Sequence, residues 1–294
     1  MPPPVVSIAM SMHNAASGIA LSLQSLIGQT FSDWELLLID DGSNDDSVAV
    51  ARRFQDDRIT MFCDGRRLGL AARLNETIAA ARGRYIARMD ADDLAYPERI
   101  ARQVAFLDEH SEIDLLGTGA IIFDGAGQVV GQLPVRTHHQ EIALRPWQGF
   151  YLAHPTWMGR SAWFRKYPYD VRLPKAQDYD VLLRSHGASR FACLPEILLG
   201  YRQERLSLGK TLATRLQVAQ AAMNFGKTHG EYIRPLLTMV QQLAKSGVDA
   251  LAILTGLDYR MLRHRALPVA VEDHERWRQL WQRLNLESST RCAE

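Results

Sequence analysis

The sequence predicts an α/β protein: a mainly parallel sheet flanked by helices over residues 1–205, with a C-terminal helical extension over residues 206–294. Three observations predict it. Two apolar strands each run into clustered acid, Leu36-Leu37-Leu38-Ile39 into Asp40-Asp41-Gly42-Ser43 and Arg84-Tyr85-Ile86-Ala87-Arg88-Met89 into Asp90-Ala91-Asp92-Asp93. Strand and helix signals alternate at the spacing of βαβ units. From residue 208 the apolar spacing becomes helical, as in Leu212, Leu216, Ala219 and Met223, and strand signals stop.

The elements follow in order. Val5-Val6-Ser7-Ile8-Ala9-Met10 reads as a buried strand, and Ile19, Leu23, Leu26 and Ile27 give helical spacing from Gly18 to Ile27. Trp34 to Ile39 is the second strand. Ser43-Asn44-Asp45-Asp46 supplies N-cap chemistry for a helix to about Phe54. Arg58 to Phe62 is the third strand, Leu70 to Ala81 a helix that Gly83 stops, and Tyr85 to Met89 the fourth strand. Pro97 opens a helix through Ile100, Val104 and Leu107 to about His110. Leu115 to Phe123 and Gln128 to Leu133 are strands joined by the turn Asp124-Gly125-Ala126-Gly127. A further strand is expected from Ala153 to Gly159, and a helix from Gln177 to Ser185.

Bulk properties exclude several classes. Hydrophobic residues make up 47% and charged residues 23% of 294, an ordinary globular composition for one large domain or a domain with an appendage. A net charge of +1 offers no field for nucleic acid. No apolar run approaches the roughly 18 residues of a membrane span. Met1-Pro2-Pro3-Pro4 has no basic region and leads into a strand, unlike a signal peptide. Cys63, Cys193 and Cys292 are scattered, which suits a reducing cytosol and neither a disulfide framework nor zinc. Charge is uneven: after residue 205 there are twelve Lys/Arg against eight Asp/Glu, and before it 22 against 25. The excess is read first as solvated helix faces. The second reading is a salt-sensitive contact of Arg260, Arg263, Arg265, Arg276 and Arg278 with an anionic membrane.

Carboxylates crowded at the end of a buried strand repel one another unless a cation compensates. A divalent ion with oxygen ligands is the usual compensation, and Mg2+ sites combine one or two carboxylates with substrate phosphates. The expectation is therefore a metal-assisted nucleotide site at the carboxyl ends of the strands. Alternation along an extended chain sends Asp90 and Asp92 one way and Asp93 the other. No Gly-rich loop follows the first strand, which argues against a nucleotidyltransferase.

The ordered set Val6-Ser7-Ile8…Asn14, Gln29-Thr30-Phe31, Asp40-Asp41-Gly42-Ser43, Gly83-Arg84-Tyr85-Ile86-Ala87, Asp90-Ala91-Asp92-Asp93, His154-Pro155 and Gln177-Asp178-Tyr179-Asp180 resembles the family-two glycosyltransferases of the GT-A fold. The resemblance covers residues 5–205. It implies a Rossmann-like sheet and inverting transfer of a sugar from a nucleotide-diphosphate donor. On it, Asp41 accepts from the nucleobase with Asp40 the neighbouring candidate, while Ser11, His13 and Asn14 line the base pocket. Many relatives carry Tyr where this chain has His13. Asp92 is assigned to the metal, Mn2+ or Mg2+, with Asp90 or Asp93 beside it on ribose or metal. Arg73 is considered as a phosphate contact and His154 as a residue near acceptor and diphosphate. Asp178 is the candidate general base, at a helix start whose dipole favours the carboxylate. The family has Glu-Asp where this chain has Gln177-Asp178, so one acid is missing. Relatives follow Tyr201-Arg202 with a His; here Gln203-Glu204-Arg205 follows, and Arg202 or Arg205 takes the phosphate role. Asp180 is expected to be structural.

The resemblance implies a metal-dependent hexosyl- or N-acetylhexosaminyltransferase acting with a UDP-sugar on a glycan or lipid-linked glycan of the cell envelope, at the cytoplasmic face. A non-catalytic nucleotide-sugar-binding module of the same fold is the rival.

Overall fold

The computed structural model describes residues 2–203, 207–256 and 266–291. Strands β1 (Val6–Met12), β2 (Trp34–Asp40), β3 (Ile59–Cys63) and β4 (Tyr85–Arg88) lie in the order β3-β2-β1-β4, every pairing parallel. β2 and β4 are buried at every residue, because both faces of the sheet are covered. The crossovers carry α1 (Ile19–Ile27), α2 (Ser47–Ala51) and α3 (Leu70–Ala80). The helix expected to reach Phe54 is the single short α2, since Asp40, Asp45 and Ser47 are taken up in loop contacts.

The sheet continues through antiparallel strands. β5 (Leu94–Ala95) is a short edge strand, and α4 (Arg99–Glu109) leads to β6 (Leu115–Phe123), which forms a hairpin with β7 (Val129–Gln132). After α5 (His139–Ile142), β8 (Met158–Arg160) joins β4 to β6. The expected strand at Ala153 begins with a 3-10 turn, His154–Thr156, and only Met158 onward pairs. Helices α6 (Ser161–Lys166) and α7 (Gln177–Ser185) precede β9 (Phe191–Arg202), parallel to β6. β9 is the longest strand and contains Pro195, which lacks a ladder donor. The register steps from Thr118↔Leu194 to Gly119↔Ile197, so Pro195 and Glu196 bulge out of the ladder.

Two apolar layers enclose the sheet. One gathers Ile19 and Leu23 of α1 with Ile100, Val104 and Leu107 of α4. The other gathers Leu74 and Ile78 of α3 with Trp157, Trp163 and Phe164.

Among the described residues three helices follow: α8 (Leu208–His229), α9 (Ile233–Leu254) and α10 (Val271–Arg291). α8 packs on α7 through Ala221, Val218 and Phe225. α10 instead enters the first core with Trp277, Leu280 and Leu284. The Trp277 ring lies 4.6 Å from Phe123, and its Nε1 donates to the Gly127 carbonyl at 2.9 Å. A Cβ on Gly200 would stand 2.3 Å from that ring, so a residue without a side chain is needed there. The division of the chain at residue 205 is therefore not a division of its core. Of the basic residues considered for a membrane, Arg260, Arg263 and Arg265 lie outside the described residues. Arg276 reaches Asp273 and Glu98, and Arg278 pairs with Glu275.

Truncating Trp277 to alanine should destabilise the protein by about 3–5 kcal/mol, the cost of a large core cavity, and lower the thermal midpoint accordingly. An unchanged melting curve would mean that α10 contributes nothing to the core.

Candidate active site

Parallel register brings the chemistry together. Met12 pairs with Asp40 across β1 and β2, and Ala9 pairs with Arg88 across β1 and β4. The carboxyl ends of three adjacent strands thus open on one side, carrying Ser11 to Asn14, Asp40-Asp41 and the acids at 90–93. The first two loops are stitched together. Asn14 sits at φ 52, a left-handed conformation that asparagine tolerates. Its side-chain oxygen accepts from the Asn44 amide at 2.9 Å, while its own amide donates to Ser43 Oγ at 3.0 Å. His13 Nδ1 lies 3.0 Å from the Asp41 carbonyl, and Ser11 is half-buried beside it in sequence.

Asp40 and Asp41 are both buried. Asp40 accepts from the Ser43 amide at 3.2 Å. Asp41 accepts from the amides of Leu68 at 2.7 Å and Gly69 at 3.0 Å, and from Arg73 Nε at 3.0 Å. A base contact by Asp41 would share the carboxylate with these three internal donors. Arg73 has a full set of partners inside the protein. Beyond Asp41 it reaches Asp64 at 2.7 and 3.1 Å, Glu76 at 2.9 Å and the Arg66 carbonyl. All five guanidinium N–H groups are engaged, which leaves none for the phosphate contact considered from sequence. Arg73 instead folds residues 64–69 onto the end of β2.

The acids at 90–93 have three distinct surroundings. Asp90 is bound by both terminal nitrogens of Arg88, Nη1 at 2.8 Å and Nη2 closer still. Asp93 is fully buried. Its Oδ1 accepts from the Arg202 amide at 2.9 Å, and Oδ2 has no partner among the described residues. Burial first, then Asp90 and Asp92, push its pKa well above the usual carboxylate range. Asp92 is exposed, with no side chain paired to it among the described residues. Desolvation by the surrounding protein, then repulsion from Asp90, raise its pKa to about 6. Arg202 lies on the same side: a Cβ on Gly18 would stand 2.9 Å from Asp92 Cβ and 3.2 Å from Arg202 Nη1. Only glycine lets the start of α1 approach so closely.

Arg88 is the residue that sequence reading passed over. It is buried at the end of β4, where an apolar side chain is expected. Burial lowers its pKa, but Asp90 more than offsets this. Arg99 of α4 is buried beneath it and donates to the Arg88 carbonyl at 2.7 Å and the Pro155 carbonyl at 2.9 Å. Burial lowers the Arg99 pKa to about 9. Gln103 of α4 adds a bond to the Thr156 carbonyl at 2.9 Å. The pair locks the His154-Pro155 turn against the acid-bearing strand. The one advance signal was Arg88 itself, a charge in the otherwise apolar run Tyr85-Ile86-Ala87-Arg88-Met89.

His154 is buried, with Nε2 2.8 Å from the Tyr169 hydroxyl and its ring edge-on to Trp157 at 4.5 Å. Burial, then the Arg88 charge, hold its pKa well below that of free histidine, so it is neutral. Asp178 opens α7 after Ala176, whose φ of 57 turns the chain sharply into the helix. It is half-buried. Burial raises its pKa, its own helix-start amides and Arg88 oppose this, and Asp90 adds to it. Asp178 therefore stands within electrostatic reach of the Arg88–Asp90 pair. Asp180 is buried on Arg184 at 2.8 Å, the structural role expected of it. Arg205 lies outside the described residues.

Among the described residues no three His, Cys, Asp or Glu side chains are grouped to hold a metal ion. A mixed, mostly parallel sheet flanked by helices is the arrangement of the GT-A fold. The sequence profile "Glycosyl transferase family 2" matches residues 7–168, and the chain belongs to that family. It is 34% identical over 187 residues to the putative glycosyltransferase EpsE of Bacillus subtilis, covering 62% of this chain and 66% of that one. It is 31% identical over 208 residues to the uncharacterized glycosyltransferase MJ1057 of Methanocaldococcus jannaschii, covering 69% and 72%. A third relative is the UDP-Glc:alpha-D-GlcNAc-diphosphoundecaprenol beta-1,3-glucosyltransferase WfgD of Escherichia coli, 32% identical over 118 residues, with coverages of 40% and 47%. The fold is similar to S. aureus TarS 1-349 in complex with UDP-GlcNAc, TM-score 0.60 at 16% identity, covering 98% and 92%. It is also similar to the mannosyltransferase PcManGT from Pyrobaculum calidifontis in complex with GDP-Man and Mn2+, TM-score 0.60 at 15% identity, covering 90% and 84%.

Replacing Arg73 by methionine should cost about 3–5 kcal/mol in denaturant unfolding, because it strands the buried Asp41 carboxylate. A variant of normal stability with weakened donor binding would return Arg73 to the phosphate role.

Proposed function

We propose that the protein is an inverting glycosyltransferase of cell-envelope glycan synthesis. It takes a nucleotide-diphosphate sugar, UDP-sugars first, and glycosylates a hydroxyl of a glycan or lipid-linked glycan at the cytoplasmic face. Residues 1–205 form the donor-binding and catalytic part. The observation that carries the reading is the division of labour among the acids. Asp90 is neutralised internally and Asp93 is buried, while Asp92 is left exposed and Asp178 stands half-buried with a raised pKa. The UDP-GlcNAc complex of TarS and the printed activity of WfgD support a uridine donor of hexosyl or N-acetylhexosaminyl type, and WfgD supports a lipid-linked acceptor.

Asp178 accepts the proton of the acceptor hydroxyl at its carboxylate as that oxygen attacks the anomeric carbon. The bond from the anomeric carbon to the diphosphate oxygen breaks on the opposite face, which inverts the configuration. Ser11, His13, Asn14, Asp40 and Asp41 frame the base end of the donor. His154 is neutral and buried, and positions the acceptor side through Tyr169.

The donor set fits a divalent ion that arrives with the diphosphate. Asp92 is its one exposed carboxylate, with Asp93 Oδ2 unpartnered beside it. Asp92 would hold Mn2+ or Mg2+, which supplies positive charge to the departing diphosphate. The Mn2+ complex of PcManGT supports this choice.

Asp178→Asn keeps size and helix-start chemistry but cannot take a proton. Turnover of a UDP-sugar should fall by roughly 10²–10⁴-fold while donor affinity is retained. Because burial raises the Asp178 pKa, the acid limb of the pH–rate profile should lie above the ordinary aspartate value of about 3.9, with activity lost as pH falls through it. Wild-type turnover in Asp178→Asn would move the base elsewhere. Asp92→Asn should abolish the metal-dependent part of donor binding measured by calorimetry. Equal affinity with Mn2+ and with chelator in the parent protein would remove the metal from the scheme.

A further inference from the structure

The burial pattern of α9 is inside out. A surface helix normally buries its apolar stripe and exposes its polar face. Here three of the five buried positions are polar, the others being Pro235 and Ala252. Thr238 and Gln242 are buried, and Asp249 is 0% exposed. Thr238 Oγ1 donates to the Trp147 carbonyl at 3.2 Å. Arg215 of α8 reaches Gln242 at 3.2 Å and Asp249 at 2.9 Å. The outward positions are aliphatic. Ile233 is 76% exposed, Leu237 62%, Val240 56%, Val248 58% and Leu251 64%. Their spacing of four, three, eight and three residues keeps all five on one face of a helix. Leu236, Leu243 and Leu254 widen the same face.

We infer that this face of α9 lies on an anionic lipid bilayer. Four features select lipid over a protein partner. The stripe contains only aliphatic side chains, whereas the anchors of protein interfaces are enriched in Trp, Tyr and Arg. An exposed aromatic, Tyr232, sits at its end, where an amphipathic ring meets the headgroup level. No acid is exposed on α9, since Asp249 is its only one and lies beneath Arg215. Exposed Lys210 and Lys227 on α8 give the hairpin a positive margin. Among the described residues no helix is long and apolar enough to cross a membrane, so the contact is an interfacial one.

Segments that touch the α8–α9 hairpin expose further apolar residues: Leu144 and Tyr151 flank Trp147 and Phe150, and Val171 precedes Leu173. The hairpin itself packs on α7, which begins with Asp178. The docked enzyme thus holds that helix against the membrane-bound hairpin. The inference stands on burial and charge and does not require the transferase reading.

The test is flotation of the purified full chain with phosphatidylglycerol–phosphatidylethanolamine vesicles, at low and high salt, beside phosphatidylcholine vesicles. The protein should float with the anionic vesicles at low salt. The variant Leu237→Glu/Val240→Glu/Leu251→Glu should lose at least about tenfold of the bound fraction, because each change removes buried apolar area and adds like charge. These side chains face outward, so its melting curve should match the parent. Should the triple variant misfold, Ile233→Asn/Leu254→Asn at the helix ends replaces it, with the same direction expected. Parent protein that stays at the bottom at low salt overturns the inference, as does binding unchanged in a folded variant. A parent dimer in sedimentation velocity that the triple variant turns into monomer also overturns it, since α9 would then meet a second copy. Donor binding by thermal shift reports on the transferase reading separately.

Discussion

Buried guanidinium groups decide what the acid-rich edge of this sheet can be. The carboxyl ends of β2 and β4 bring five aspartates into one region, and an ion removed from water loses several kcal/mol of solvation unless it is paired. Arg73 compensates Asp41 and Asp64, Arg88 compensates Asp90, and Arg99 holds the strand end against the His154-Pro155 turn. Each comes from an element of the sheet or its first helices, so the charges are fixed by the fold. One consequence is asymmetry among the acids. Asp90 is already neutralised, which leaves exposed Asp92 as the carboxylate that a cation can still approach. Three identical side chains in four residues therefore do three different things.

The same asymmetry explains how much could be read in advance. Strands ending in Asp40-Asp41 and Asp90-Ala91-Asp92-Asp93 are visible because the chain alternates between apolar runs and acid, and parallel strands must align those ends. The helix at Gln177–Ser185 falls where its spacing placed it. Arg88 and Arg99 were not legible as parts of the site, because a charge in the sequence does not reveal whether it meets a carboxylate, as Arg88 does, or carbonyls of distant residues, as Arg99 does. Arg73 was legible as a residue near the donor but not in its role, since its partners Asp64 and Arg66 lie in a loop without periodicity. β9 shows the limit for strands: Pro195 interrupts it, and only the bulge against Gly119 makes a continuous element.

The C-terminal helices show that one helical signal can hide two opposite duties. α10 obeys the ordinary rule and delivers Trp277, Leu280 and Leu284 to the core. α9 reverses it, with Asp249 inside and Leu251 outside. Periodicity reports that a helix has an apolar stripe, and burial alone reports what that stripe meets. Arg276 and Arg278 are held by neighbouring acids, while the exposed aliphatic face lies on α9.

Gln177 bears on how the base is tuned. Where relatives carry Glu-Asp, an adjacent carboxylate would raise the pKa of the second acid by repulsion. This chain has an amide there, buried, with its side-chain oxygen unpartnered among the described residues. The pKa of Asp178 is raised all the same, with burial as the largest cause and Asp90 a smaller one. Desolvation does the work that a second charge would do. Arg88 and the helix-start amides oppose that shift, so the raised pKa of Asp178 is the balance of burial against them.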